Sequence, residues 1–217
     1  MPVTTERLAF YHIPRTGGTW VRNRMGRYDE KTPIKYKNDQ WTHEPPIGPP
    51  LEGRTSFTIV RDPAKWMASW YRYLVQYEDQ FKDRVYGPMM FAGCRRASFR
   101  DFIGDYLSKC EGSLTTLWFQ FMDNVDVILR TELLEDGLSE LFKAVGMTDW
   151  DIKLDLGRVK ARNETKPQTI ATIPAEWTQD MSDRFKAGES DLYDRLTHMP
   201  AIGHAMWGGR YAEATTM

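Results

Sequence analysis

The stretch "HIPRTGGTW", residues 12–20, constrains this chain most, because it places two glycines between a strand-like segment and a helix-like one. The short apolar run "LAFYHI" leads into it, and "TWVRNRM" can continue it as a helix. Glycine lets a backbone turn sharply and approach a ligand closely. The first N–H groups of a helix lack intrahelical acceptors and carry the positive end of the helix dipole. The stretch therefore predicts a strand-to-helix turn suited to binding a phosphate.

Strand-like and helix-like segments alternate along the rest of the chain. Residues 55–62 are rich in β-branched and aromatic side chains, and Pro63 can open the next helix because the first helical position needs no N–H donor. Gly146 is suited to end a later helix. The expected strands are 7–13, 55–62 and 125–130, and the expected helices are 19–27, 63–77, 98–109, 114–122, 134–146, 174–188 and 189–196. This alternation predicts an α/β fold, with a central parallel sheet covered by helices.

Length and composition favour one globular domain over residues 1–217, because 217 residues with 41% hydrophobic content can bury one sizeable core. Its last twenty residues carry no readable pattern, and we expect an irregular tail there. The helix expected at 63–77 carries a stripe of apolar side chains at helical spacing, which indicates a face turned to the core. The members of this stripe are Trp66, Trp70, Leu74 and Tyr77.

Charge is unevenly distributed, although the net charge is only −1. Residues 1–100 hold 17 Lys and Arg against 10 Asp and Glu, whereas residues 101–217 hold 12 against 20. An anionic small ligand is therefore expected in the N-terminal half, and the balance gives no reason to expect a nucleic acid or a membrane as partner. No apolar run approaches the roughly 18 residues that cross a bilayer, so we expect a cytoplasmic protein. We also expect Cys94 and Cys110 to be reduced rather than paired.

The cation of this turn differs from that of nucleoside-triphosphate loops. In nucleoside-triphosphate loops the glycines are followed by Lys and then by Ser or Thr, which bind the outer phosphates and magnesium. Here Gly17 and Gly18 are followed directly by Thr19 and Trp20, so that lysine is missing. Arg15, on the other side of the glycines, is the candidate cation of this turn.

The segment "PRTGGTW", residues 14–20, resembles the 5′-phosphosulfate loop of sulfotransferases that use 3′-phosphoadenosine 5′-phosphosulfate (PAPS). Members of this family carry Pro-Lys-Ser-Gly-Thr-Thr-Trp or His-Ile-Pro-Lys-Thr-Gly-Gly-Thr at that place. The segment "IVRDPAKWMASWY" resembles the family's second signature, in which a strand ends in Arg and a Ser follows eight residues later; these are Arg61 and Ser69. Residues 125–195 are similar to the family more weakly.

The resemblance implies a three-layer, P-loop-like domain that takes PAPS as sulfuryl donor and requires no metal. It implies that Arg15 stabilises the leaving group and that Thr16, Gly17, Gly18 and Thr19 cradle the 5′-phosphate. It also implies that Arg61 and Ser69 bind the 3′-phosphate and that Trp20 lies against the adenine, with core packing as the alternative for Trp20. The family usually has Lys where this chain has Arg15, but Arg keeps the charge and offers phosphate a two-pronged donor.

A sulfotransferase also needs a base and an acceptor. Several family members place a catalytic His between the two signatures, which makes His43 the candidate base and Glu44 its rival. His12 is expected to end the first strand as a packed or hydrogen-bonded residue. Lys160, Arg162 or Lys166 are further candidates for the 3′-phosphate. The acceptor is expected to be a hydroxyl or an amine of a carbohydrate or small molecule, and Trp41, Trp66, Trp70 and Tyr71 are either its pocket or core residues.

Two other functions remain open from the sequence. A P-loop nucleotide kinase would share the strand, glycine turn and helix, and Asp62 lies at a strand end, but the missing lysine disfavours it. A catalytically inactive relative that binds the nucleotide would be consistent with Arg in place of Lys. The sequence indicates no oligomeric state.

Overall fold

A computed structural model describes residues 3–21, 25, 45–46, 51–76, 94, 97–146, 173–198, 201–202 and 205–207. The chain divides into two compact units, each assembled from separate stretches of sequence. The first unit comprises Met1–Arg61, Trp118–Asp151 and Thr197–Met217, and the second comprises Asp62–Leu117 and Ile152–Leu196.

The first unit contains a six-stranded sheet. Its strands are β1 Val3–Thr4, β2 Leu8–Tyr11, β3 Thr55–Val60, β4 Val127–Arg130, β5 Ala201–Ile202 and β6 Ala205–Trp207, arranged in the order β1-β2-β3-β4-β6-β5. Strands β2, β3 and β4 are parallel, and the other three join antiparallel. The three strands expected from the sequence are thus confirmed as a parallel sheet within an α/β fold.

The end of the chain differs from the irregular tail that we expected, because β5 and β6 lie in it. The local sequence could not indicate them, since strands of two and three residues are too short to display an alternating pattern. Strand β6 is held instead by a long-range pairing with β4, in which Ile128 faces Met206.

Five of the described helices lie within two residues of the expected bounds, whereas the helix expected at 174–188 begins only at Gln179, after its N-cap Thr178. The described helices are α1 Pro63–Gln76, α2 Phe99–Lys109, α3 Ser113–Met122, α4 Leu134–Ala144, α5 Gln179–Gly188 and α6 Ser190–His198, with a 3-10 turn at Thr131–Leu133. Residues 18–21 and 25 are also helical. Pro63 is the first residue of α1, and Gly146, with a φ of +72°, follows the end of α4 as expected. In the described part of the chain, we find no helix with the length and apolarity needed to span a membrane.

The core of the first unit lies on one face of the sheet. Alternate residues of the three parallel strands point to it, because successive side chains of a strand face opposite sides. Val21, Met25 and residues of α4 pack against them. The buried members of this core are Leu8, Phe10, Val21, Met25, Phe57, Ile59, Val127, Leu129, Leu138, Leu141 and Phe142.

The second unit buries the carboxylate of Glu189, which lies between α5 and α6 and is only 1% exposed. It accepts hydrogen bonds from the backbone N–H of Gly112 (2.9 Å) and Thr115 (2.8 Å) and from the Thr115 hydroxyl (2.5 Å). The buried phenol of Tyr106, on α2, also donates to it. Glu189 therefore caps the positive end of α3 and links three parts of this unit.

Cys94 and Cys110, also in the second unit, are not joined by a disulfide, as expected. Burial, followed by the neighbouring Cys110, raises the pKa of the Cys94 thiol to about 12. Cys94 is therefore a neutral, buried thiol at neutral pH.

Candidate functional site

The glycine turn lies at the edge of the sheet where the three parallel strands end. It follows β2 and leads directly into the helical segment that begins at Gly18. Because parallel strands end at the same edge, the residues that follow β3 and β4 also lie there, and these are Arg61 and Thr131. In open α/β sheets this edge is where ligands bind.

Two residues of the turn have left-handed backbone conformations. Gly17 has a φ of +95° and Arg15 a φ of +66°. Arginine is strained in this region because its Cβ approaches the following carbonyl, at a cost of about 1–2 kcal/mol. The helix begins when the backbone N–H groups of Trp20 and Val21 donate to the Gly17 carbonyl, at 2.9 and 3.3 Å.

Protein side chains fill the space that a Cβ would take at either glycine. A Cβ at Gly17 would lie 3.0 Å from Cδ2 of Leu134, and one at Gly18 would lie 1.9 Å from the ring of His12. His12 is buried against Phe10, with the two ring centres 5.6 Å apart, so it is the packed residue that the sequence predicted. Packing inside the protein therefore requires glycine at position 18, whether or not a ligand is bound, whereas at position 17 the left-handed backbone is the main reason for glycine.

Side chains of the protein also hold the carbonyl groups of the turn. The Thr16 hydroxyl donates to the Ile13 carbonyl at 2.7 Å, and Nη1 of Arg61 makes a long hydrogen bond of 3.5 Å to the Arg15 carbonyl. The Thr131 hydroxyl lies 2.8 Å from the Thr16 carbonyl and 2.9 Å from the Val60 carbonyl. The turn is thus attached to the residues that follow β3 and β4.

The direction of these carbonyls determines the direction of the next N–H groups. The described peptide bonds are trans, and a trans peptide points its N–H opposite to its C=O. The N–H of Thr16 therefore points away from Arg61, and the N–H of Gly17 points away from Thr131. The N–H of Gly18 points out of the helix, because the Gly17 carbonyl points into it. Such an arrangement of backbone N–H groups is suited to an anion.

The candidate residues of the turn differ in what they can offer a ligand. Thr16 is fully buried and its hydroxyl is bound to Ile13, so it can contribute its backbone N–H but not its side chain. Thr19 is exposed, and Arg15 is half-buried. Trp20 is partly buried and packs against the core of the first unit.

The remaining candidates are distributed over the chain. Arg61 belongs to the first unit and contacts the turn, whereas Ser69 is a half-buried residue of α1 in the second unit. The aromatic candidates for an acceptor pocket include three buried residues of α1, which are Trp66, Trp70 and Tyr71. The rings of Trp66 and Trp70 stack with their centres 5.3 Å apart. The other candidates lie outside the described residues: His43, Glu44, Trp41, Lys160, Arg162 and Lys166.

Sequence reasoning did not single out Thr131 or Leu134, although both contact the turn. The signal was available in the topology, because a parallel arrangement brings the residue after the third strand to the same edge as the glycines.

Comparisons with protein-family models, with curated proteins and with solved structures found no match for this chain.

Proposed function

We propose that this chain is a PAPS-dependent sulfotransferase that transfers the sulfuryl group to a hydroxyl or an amine of a carbohydrate or small molecule. The observation that carries the proposal is the contact between the two resembling motifs: Arg61 of the second donates to the backbone of Arg15 in the first. The three-layer, P-loop-like arrangement belongs to the same proposal, and the parallel strands ending at the turn are consistent with it.

The turn would hold the 5′-phosphate end of the donor. Its N–H groups at Thr16 and Gly17 are directed away from the side chains that hold the preceding carbonyls, and the Gly18 N–H points out of the start of the helix, where the helix dipole favours a negative charge. Arg15 adds a guanidinium within the turn. The left-handed backbone of Arg15 is a strain that the fold retains at this position, which is common where a residue is held for function.

Arg61 and Ser69 would bind the 3′-phosphate, as in the family that the motifs resemble. A guanidinium carries five N–H donors in a fixed fork, so one such group can bind a backbone carbonyl and a phosphate together. Trp20 would border the adenine with the part of its ring that the core leaves exposed.

PAPS supplies an activated sulfuryl group, and the residues of the chain position it and stabilise charge. As the acceptor atom bonds to sulfur, the bond from sulfur to the 5′-phosphate oxygen breaks, and that oxygen keeps the electron pair. Arg15 and the N–H groups of the turn stabilise this developing charge. His43 takes the proton of the acceptor, with Glu44 as the alternative base. As in phosphoryl transfer, positioning and charge stabilisation provide most of the acceleration.

Nucleotide binding tests the first part of the proposal. We expect isothermal titration to give micromolar binding of adenosine 3′,5′-bisphosphate, and we expect Arg15→Ala to weaken it at least about tenfold through loss of a charge-assisted contact. Arg54→Ala is the control, because it removes a guanidinium too, one that donates to the Thr5 carbonyl at 2.7 Å, but Arg54 precedes β3 at the opposite edge of the sheet. Absence of micromolar binding, or magnesium-dependent binding of ATP instead, would contradict the proposal.

Transfer of labelled sulfate from PAPS to a panel of acceptors tests the second part. We expect transfer by the wild-type protein and by Arg54→Ala, and its loss in Arg15→Ala and in His43→Ala. A protein that binds the bisphosphate but labels no acceptor would be a nucleotide-binding relative without turnover.

A further inference from the structure

We infer that Thr131 is a positioning residue that fixes the direction of the Gly17 N–H and thereby prepares the turn for an anion. Its hydroxyl lies 2.8 Å from the Thr16 carbonyl and 2.9 Å from the Val60 carbonyl. The Thr131 side chain thus joins the turn to the end of β3, since its hydroxyl lies within hydrogen-bonding distance of both carbonyls. The identity of the anion rests on the proposed function, whereas the role in fixing the backbone does not.

The sheet determines where this hydroxyl lies. Arg130 pairs with Val60 in the parallel register of β3 and β4, so the next residue, Thr131, reaches the carboxyl end of β3. Threonine is β-branched, and its two heavy substituents on Cβ restrict its side chain to few orientations. Its methyl group faces the turn as well, since a Cβ added to Gly17 would lie 4.0 Å from Cγ2 of Thr131. The register of the strands and the restricted side-chain orientation of Thr131 therefore fix the position of the hydroxyl together.

The turn needs such a contact because Gly17 is a glycine. A glycine populates many backbone conformations, so the peptide between Thr16 and Gly17 can rotate at little cost unless something holds it. Rotation would turn the Gly17 N–H toward the sheet and place a carbonyl oxygen where the anion is expected. The bond from Thr131 opposes this rotation, because it would leave the Thr16 carbonyl without its donor.

Thr58 offers a matched control within the same sheet. Its hydroxyl donates to the Tyr11 carbonyl at 2.7 Å, and its side chain is fully buried. Loss of the Thr58 hydroxyl therefore removes a similar bond between neighbouring strands without touching the Thr16 carbonyl. Any effect that depends only on the stability of the sheet should occur in both variants.

The binding experiment compares Thr131→Val, Thr131→Ser and Thr58→Val. We expect Thr131→Val to bind adenosine 3′,5′-bisphosphate about tenfold more weakly and to raise the KM for PAPS while the KM for the acceptor stays unchanged, since a hydrogen bond of this kind contributes about one factor of ten. Thr131→Ser should restore binding to within about twofold, because it keeps the hydroxyl. Thr58→Val should bind as the wild type does. Wild-type affinity in Thr131→Val, or equal weakening in Thr58→Val, would overturn the inference.

An amide measurement separates this inference from the proposed function. In ¹⁵N-labelled protein we expect Thr131→Val to shift the Gly17 amide resonance and to reduce its response to added inorganic pyrophosphate, and Thr58→Val to do neither. If the wild type responds to pyrophosphate but binds no bisphosphate, the sulfotransferase proposal fails and the role of Thr131 stands. An unchanged Gly17 amide in Thr131→Val overturns the role of Thr131 whatever the nucleotide results, and a wild type that binds neither probe overturns both.

Discussion

At the scale of single residues, the two glycines of the turn are required for different reasons. Gly17 has a φ of +95°, a backbone conformation that residues with a side chain rarely adopt. At Gly18, by contrast, a Cβ would collide with the buried ring of His12. This difference predicts that His12 is the cause of the intolerance at position 18. The sequence indicated the glycines but not this cause, because His12 and Gly18 contact each other only after the chain has turned.

A double-mutant cycle tests this cause. We expect Gly18→Ala to lower the free energy of unfolding by about 1–3 kcal/mol, as overpacking of a core does. In a His12→Ala background the same change should be neutral to within about 1 kcal/mol, because the ring is gone and alanine suits a helix better than glycine. Urea unfolding of the four proteins gives the coupling. An equal penalty in both backgrounds would show that His12 is not responsible.

Arg15 allows folding and function to be separated at one position. Its left-handed backbone predicts that Arg15→Gly is more stable than Arg15→Ala by about 1 kcal/mol, since glycine removes the strain of the Cβ. Both variants should lose binding of adenosine 3′,5′-bisphosphate, because both remove the guanidinium. Urea unfolding and isothermal titration of the two variants check this. If Arg15→Gly retained the affinity of the wild type, the guanidinium would have no part in binding.

At the scale of elements, local sequence signals account for most of the strands and helices that were correctly expected. Strand β3 and helix α1 were expected because apolar periodicity and Pro63 are visible within a few residues. The antiparallel strands β1, β5 and β6 were not, because pairs between distant segments determine them. The contact of Thr131 with the turn was not predicted for the same reason, since it joins residues 115 positions apart.

Helix α3 shows how one distant side chain can determine where an element begins. Glu189 accepts from the N–H groups of Gly112 and Thr115, at the positive end of this helix. In Glu189→Gln an amide nitrogen would face one of these donors, so a buried N–H would lose its acceptor. We expect the free energy of unfolding to fall by about 2–3 kcal/mol.

Urea unfolding followed by circular dichroism measures this change. Glu176→Gln is the control, because Glu176 is an exposed residue of the same unit and its substitution should change stability by less than about 0.5 kcal/mol. Equal effects of the two substitutions would mean that Glu189 does not support the start of α3.

At the scale of the whole molecule, burial shifts the pKa values of ionisable groups in the second unit. Among its described residues, the pKa values of Tyr71, Cys94, Tyr106 and Tyr193 are raised. Burial is the largest cause for each, and neighbouring acidic groups add to it for the tyrosines: Asp101 for Tyr71, Glu189 for Tyr106, and Asp62 and Glu189 for Tyr193. The fold therefore keeps all four groups protonated at pH values where the unfolded chain loses its protons.

Because the pKa values of these groups are higher in the folded chain than in the unfolded chain, we predict that alkaline pH destabilises the protein. A raised pKa in the folded state contributes stability that is complete below the unfolded pKa and is lost as the pH rises toward the folded value. For Cys94 that window extends from 9.0 to about 12, and for the tyrosines it begins near their ordinary pKa of 10.0. Each group that is ionised only in the unfolded chain lowers the free energy of unfolding by about 1.4 kcal/mol per pH unit.

Tyr193→Phe tests the prediction, because it removes one of these phenols and keeps the ring. Urea unfolding at pH 7 to 11 should give two curves of the free energy of unfolding that are parallel up to about pH 9 and then converge or cross, with the variant falling less steeply above pH 10. A constant offset between the curves over the whole range would mean that Tyr193 ionises equally in the folded and the unfolded chain. In that case burial would not raise the pKa of the Tyr193 phenol in the folded chain, which would contradict the prediction.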